Sequence, residues 1–143
     1  MHITEIRIKL VGGDALKQRL RAFCTITFDN MLVVRDLKIL EGNQGYFVAM
    51  PSRKITFRCP LCHVKNASGS RFCNSCGAEI ARFDPYVETF AQTPSKMYVD
   101  VVHPINSNSR EYIHMAILQA YEEEKRRSLL PGYVSSYEDF YDN

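Results

Sequence analysis

Four cysteines carry the clearest chemistry in this 143-residue chain. Cys59-Pro-Leu-Cys62 and Cys73-Asn-Ser-Cys76-Gly are two C-x-x-C pairs with ten residues between them. Each pair can hold two thiolates on one side of a tight turn, and two such turns facing each other form the tetrahedral four-sulfur cage that zinc prefers. Gly77, directly after the second pair, suits the positive φ that such a turn asks for. A four-cysteine cage leaves no position open for water or substrate, so one structural Zn2+ is expected rather than a catalytic one. Residues 55–83 are too few to bury a core by themselves, and metal binding can replace the missing stabilisation by roughly 10 kcal/mol or more. The competing arrangement, a pair of disulfides, belongs to oxidising compartments. His63, next to Cys62, reads as a surface residue because four sulfurs already complete the set. Arg58, Lys65 and Arg71 lie near the knuckles, where they can offset the negative charge of the cluster and still present cations to phosphates.

The compartment follows from the rest of the chain. A hydrophobic content of 45% is that of a folded protein. No run of about 18 apolar residues is present, which excludes a spanning helix. The opening MHITEIRIKLV interleaves Glu5, Arg7 and Lys9 with isoleucines and lacks the apolar centre of a secretory signal, so a cytoplasmic location and no membrane partner are expected. The net charge of +2 hides an asymmetry: residues 1–58 hold ten basic against five acidic side chains, 59–83 three against one, and 84–143 five against ten. A basic front suits polyanions; an acidic rear repels them.

The elements that must position these groups are mostly strands. Residues 2–11 alternate apolar Ile3, Ile6, Ile8 and Leu10 with polar residues, with one slip near Thr4 and Glu5. Gly12, Gly13 and Asp14 break this strand, and 15–21 reads as a polar, basic connector. Residues 22–28 and 31–40 read as a hairpin about the turn Asp29-Asn30. Residues 41–45 form a glycine-containing turn, 46–50 a fourth strand, and 96–102 alternates again before His103-Pro104. From 109 to about 127, Tyr112, Ile113, Ala116, Ile117, Ala120 and Tyr121 mark one face of a helix. Asn108 and Glu111 resemble a capping box, Lys125, Arg126 and Arg127 suit the negative end of the dipole, and Pro131-Gly132 stops it. The fold class expected is α+β: a small antiparallel β-sheet with one C-terminal amphipathic helix on one face, plus the inserted four-cysteine module. The bare face or edge of such a sheet favours pairing with a second copy.

With 55–95 set aside, the remainder resembles the SpoVG family, the bacterial stage V sporulation protein G group. The resemblance rests on AFCTITFDNMLVVRDLKILEGNQGYFVAMPSRK at 22–54, MHITEIRIKLV before it and YVDVVHPINSNSREYIHMAILQAY at 98–121, covering about 100 residues. Members of that family usually pass from M-P-S-R-K to D-x-x-H-P-I in a few residues; here about 40 intervene and look like a zinc ribbon. The expected organisation is therefore a discontinuous SpoVG-like domain of 1–54 and 96–127, an inserted zinc-ribbon module and linker of 55–95, and an acidic aromatic tail of 128–143 that docks locally.

The resemblance implies a homodimeric regulator that binds DNA or RNA and influences septation, sporulation or gene expression. It places the basic loop at Arg53 and Lys54, the helix start at Arg110, and Arg35 and Lys38 on the V-R-D-L-K strand; Arg58 and Arg71 would extend the surface through the ribbon. Cationic forks and ammonium groups neutralising phosphates agree with it. No helix-turn-helix signature is present, so no inserted recognition helix is expected. The alternative is an adaptor in which ribbon and tail recruit a protein partner. An enzyme is not expected: the cage is saturated, Cys24 reads as a small core residue, and Asp100 with His103 is a pair without a pocket. His2 and His114 carry no motif.

Overall fold

The structure is a computed structural model and describes residues 1–12, 19–90 and 97–137. The break expected at Gly13-Asp14 and the last six residues of the tail lie outside the described residues. In chain order the elements are β1 (Ile3–Leu10), β2 (Leu20–Phe28), β3 (Leu32–Gly42), β4 (Gly45–Ala49), β5 (Ser52–Lys54), β6 (Thr56–Arg58), β7 (Lys65–Ala67), α1 (Val87–Phe90), β8 (Tyr98–Asp100) and α2 (Ser107–Ser128). They divide between two compact units, Met1–Pro51 with Val102–Asn143, and Ser52–Val101. No helix among the described residues is long and apolar enough to cross a membrane.

Unit 1 is the expected α+β arrangement. Strands β1 to β4 form an antiparallel sheet in the order β1-β2-β3-β4. The β2–β3 hairpin turns on Asp29 and Asn30 at φ 51° and 54°, the left-handed pair that two-residue hairpins favour and that Asn and Asp tolerate. Ile6 and Ile8 face Ile26 and Cys24 across the β1–β2 ladder, so the alternation visible in the sequence puts them all on one side. The slip at Thr4 and Glu5 is a register shift between Ile3 and Glu5. A second irregularity has larger consequences. Cys24 pairs with Leu37 and Ile26 with Val34, so Arg35 and Asp36 together oppose the single residue Thr25, and Asp36 takes φ 62°. This bulge resets the alternation, turning both Val34 and Leu37 to the core although an odd number of positions separates them.

Helix α2 covers that inner face. Ile117 and Tyr121 are buried with Ile8, Ala22, Cys24, Ile26, Phe28, Leu37 and Ile39. The Tyr121 ring meets Tyr46 edge-on at 5.3 Å, and Lys125 Nζ lies 4.7 Å from the Tyr121 ring. Burial pushes the Cys24 thiol up to about 12, which keeps it neutral and makes it core filling, as its strand position implies. Sequence and structure differ at the helix start. The cap is Asn106, whose Oδ1 accepts from Ser109 N at 2.8 Å, and Asn108 lies inside the first turn. Asn106 is extended at ψ 170°, as a capping residue must be, and its side chain reaches the third amide beyond it. Tyr112 stands half exposed at the margin, and the apolar stripe ends on Glu124, whose buried carboxylate accepts from Arg127 Nη1 at 2.8 Å and Tyr133 Oη at 2.5 Å. Tyr133 thereby fixes the start of the tail. The connector expected over 15–21 also differs, because Leu20 and Arg21 already belong to β2.

Unit 2 buries little apolar material. Strand β5 pairs with β8, β6 pairs with β7, and a 3-10 turn spans Ala81–Phe83. Of the alternation expected through 96–102, Lys96 lies outside the described residues, and among 97–102 only the three residues of β8 form a strand, which joins β5 rather than the large sheet. The buried cluster is Phe57, Cys59, Cys73 and Ile80. Asp84 closes the unit at its other end: its carboxylate accepts from Ser68 Oγ at 2.9 Å, Gly69 N at 2.7 Å and Tyr86 N at 2.9 Å. Burial alone would raise this carboxyl; the amides and the hydroxyl outweigh it and hold it below its ordinary value.

Removing side-chain volume where α2 meets the sheet tests this packing. Ile117 is fully buried, so Ile117→Ala is expected to lower unfolding stability by about 2–5 kcal/mol in urea titration, and a change under about 0.5 kcal/mol would contradict the helix placement.

Candidate metal centre and basic surfaces

The two C-x-x-C segments fold into the same backbone turn twice. Cys59 N donates to Val64 O at 2.9 Å and Cys73 N to Ala78 O at 2.8 Å; His63 N returns to Cys59 O at 2.9 Å and Gly77 N to Cys73 O at 3.1 Å. In each turn the amide two residues after the first cysteine points at its sulfur, Leu61 N to Cys59 Sγ and Ser75 N to Cys73 Sγ, both at 3.4 Å. His63 and Gly77 occupy equivalent positions with φ 64° and 75°. For Gly77 this is the conformation its place after the second pair implies. His63 is an exposed residue in the left-handed region, and its place in the turn is conformational.

The turns bring all four sulfurs together, within 4.8 Å of one another. Cys59 and Cys76 are 3.7 Å apart and Cys62 and Cys73 3.5 Å. A disulfide requires about 2.05 Å. A tetrahedral ion with metal–sulfur bonds of ~2.3 Å requires sulfur–sulfur edges of about 3.8 Å. The spacing thus fits a coordinated ion, and all five cysteines are free thiols.

Electrostatics fits the same donor set. The Cys62 and Leu61 amides hold Cys59 below its ordinary value. The Cys76 and Ser75 amides, with Asn66 beside them, bring Cys73 to about 6. Cys76 is pushed up to about 11: its own amide donor, Ala78, is outweighed by burial and by the neighbouring sulfurs. Thiolates crowded this closely cannot all ionise without a cation among them, so metal entry and proton release are coupled. Asn66, buried on β7, completes the set. Its Nδ2 donates to Cys73 Sγ at 3.5 Å and its Oδ1 accepts from Asn74 N at 2.9 Å. The sequence offers no sign of this residue beyond a polar side chain in a short strand, since its role depends on β7 passing beneath the second turn.

The seven predicted nucleic-acid-binding residues fall on both units. In unit 1, Arg35 and Lys38 are exposed on β3, and Arg110 is exposed in the first turn of α2. That turn contains no acidic residue, so a cation sits at the positive end of the helix dipole without local compensation. In unit 2, Arg53 and Lys54 are exposed on β5 opposite Val99 and Tyr98, with Lys54 Nζ 5.8 Å from the Tyr98 ring. Arg58 donates to His63 O at 3.0 Å and bridges the first cysteine turn, while Arg71 lies 6.0 Å from the Phe72 ring. His103 Nδ1 lies 3.0 Å from Pro104 O, a contact with its immediate chain neighbour.

The SpoVG family profile matches residues 1–123. Among curated proteins, a SpoVG protein of Clostridium beijerinckii is 30% identical over 132 residues, covering 92% of this chain and 100% of the relative. One from Clostridium perfringens is 31% identical over 125 residues, 87% of this chain and 93% of its own length. One from Heliobacterium modesticaldum is 32% identical over 123 residues, 86% and 92% respectively. All three are named for septation.

Metal retention separates the roles of the ligands and of Asn66. Cys73→Ser should abolish stoichiometric metal by elemental analysis, whereas Asn66→Ala should keep it but release it to a chelator roughly tenfold faster or more. A Cys73→Ser protein with full metal content would remove the centre.

Proposed function

Because this chain belongs to the SpoVG family, we propose that it is a nucleic-acid-binding regulator connected with septation, sporulation or gene expression, stabilised by one structural zinc ion at Cys59, Cys62, Cys73 and Cys76. The observation that carries the reading is the basic strand β5. Arg53 and Lys54 are exposed on neighbouring positions of a two-stranded ladder, beside the aromatic ring of Tyr98. Successive strand side chains point to opposite faces, so the ladder presents a cation on each. Guanidinium and ammonium groups neutralise phosphates, and an adjacent ring offers a surface on which a base can stack. Arg110, Arg35 and Lys38 add cations on unit 1, and Arg58 and Arg71 add them beside the metal turns.

Zinc is favoured over other ions by four soft thiolate donors at tetrahedral spacing. When bound it supplies charge balance and cross-linking. No enzymatic step belongs to this reading, since four sulfurs saturate the ion and the fifth thiol, Cys24, is buried and neutral. Zinc-dependent folding with free thiols accords with a cytoplasmic location.

A homodimer is part of the proposal. Unit 1 has an apolar hollow of about 300 Å³ whose lining includes Met1, Phe28, Leu32, Val102, Ile105 and Ile113. Ile105 is 88% exposed and Leu32 56%, which a second copy would cover. Ile105→Glu should therefore shift the sedimentation coefficient from dimer to monomer, and a wild-type protein already monomeric at high concentration would end this part of the reading. The second reading, recruitment of a protein partner, is favoured by Leu61 and Phe72 on unit 2, 72% and 57% exposed.

Nucleic-acid binding is tested by titrating a labelled oligonucleotide. Arg53→Ala with Lys54→Ala should weaken binding about tenfold or more and reduce the slope of log affinity against log salt by about 1.5–2. Affinity indifferent to both substitutions and to salt would refute the reading.

A further inference from the structure

The face of the sheet opposite α2 is built quite differently from the core face. Along β1 it carries Glu5, Arg7 and Lys9, paired with Thr27, Thr25 and Phe23 of β2. Across β3 the pairing continues from Thr27 to Val33 and from Phe23 to Lys38. The bulge at Arg35 and Asp36 is what places Arg35 with this group, opposite Thr25. Four cations, Arg7, Lys9, Arg35 and Lys38, thus share one face with Phe23 between two of them, and Glu5 beside them is ion-paired to Arg7. The described chain ends on this same face. After Tyr133 is fixed to Glu124, Ser136 O accepts from Arg7 Nη1 at 3.4 Å. Tyr137 then lines a cleft of about 230 Å³ with Glu5, Arg7, Thr25, Thr27 and Arg35.

We propose that this outer face is the docking surface for the chain's own acidic C-terminal segment, residues 138–143, and that the segment competes there with polyanions. The occupant follows from where the chain stands at Tyr137 and what comes next: Glu138, Asp139, Phe140, Tyr141, Asp142 and Asn143, three carboxylates and two aromatic rings with no cation. Six residues reach up to ~20 Å, whereas β1 and β3, as the two neighbours of β2, are only about 10 Å apart. All four cations therefore lie within range of the segment. Tethering sets an effective concentration in the millimolar range, so even weak ion pairs populate the docked state. The carboxylates match the cations in chemistry, and the rings match Phe23 and the threonine methyls. The competition half rests on the nucleic-acid reading above; the docking half does not.

Two measurements on the full chain and on a chain lacking 138–143 decide the matter. Backbone amide shifts should change at Lys9, Phe23, Thr25, Arg35 and Lys38 and stay fixed at inner-face Cys24 and Ile39. Neutralising the segment with Glu138→Gln, Asp139→Asn and Asp142→Asn should reproduce the change without shortening the chain, and dilution should not. Outer-face shifts unaffected by truncation, or lost from the full chain on dilution, would overturn docking in cis. In the second measurement, single-stranded oligothymidylate at about 0.1 M salt should bind the truncated chain roughly three- to tenfold more tightly. Lys9→Ala with Lys38→Ala should remove that gain. Equal affinity of the two chains overturns the competition. Absence of binding by either chain overturns the nucleic-acid reading, while the amide shifts still decide the docking.

Discussion

The convergence of four thiols is the constraint on which the second unit depends. Its buried cluster consists of Phe57, Cys59, Cys73 and Ile80, so half of what serves as a core is sulfur that could also ligate an ion. Two apolar side chains cannot offset the conformational entropy of ordering about fifty residues. Without a cation the thiolates repel one another, as the raised Cys76 already registers, while backbone amides hold Cys73 down. A cation at their centre would attract all four and so hold both turns. Asn66 and Asp84 make sense in that setting. Each is a buried polar residue that accepts from turn amides, Asn66 also donating to Cys73 Sγ and Asp84 also accepting from Ser68 Oγ, where an apolar residue would leave amides unsatisfied.

Unit 1 solves the opposite problem with ordinary means. It has apolar residues enough for one face of a sheet and one helix, and it places them there. Polar and basic residues are left for the other face, and the two helix ends are closed by local devices, Asn106 at one and the Arg127, Glu124 and Tyr133 group at the other. The buried Glu124 is tolerated because both its oxygens accept from strong donors. Its benefit is positional: it sends the chain back along the sheet towards Arg7.

Much of this was legible beforehand for identifiable reasons. Period-two alternation marked β1 and β2 because one face is buried, Asp29-Asn30 marked the hairpin because its φ values demand such residues, and the cysteine spacing marked the cluster because C-x-x-C closes one turn. The misplaced cap shows the limit of that method. Asn106 and Asn108 both precede polar residues three positions on, and only the extended backbone at Asn106 selects between them. The strand at 96–102 shows another limit, since alternation reports a ladder without naming the partner, and the partner is β5.

What the sequence alone determined is local chemistry: which residues can ligate, turn, cap or carry charge, because those properties are covalent or reach only a few positions along the chain. What the tertiary structure decided is parity and company. Arg35 and Lys38 are three apart on a strand and by simple alternation would point to opposite faces; a bulge of one residue puts both with Arg7 and Lys9. Asn66 joins the thiols, and Ser136 the outer face, only because distant segments pass close by. A register is a property of two strands at once, so no single stretch of sequence contains it.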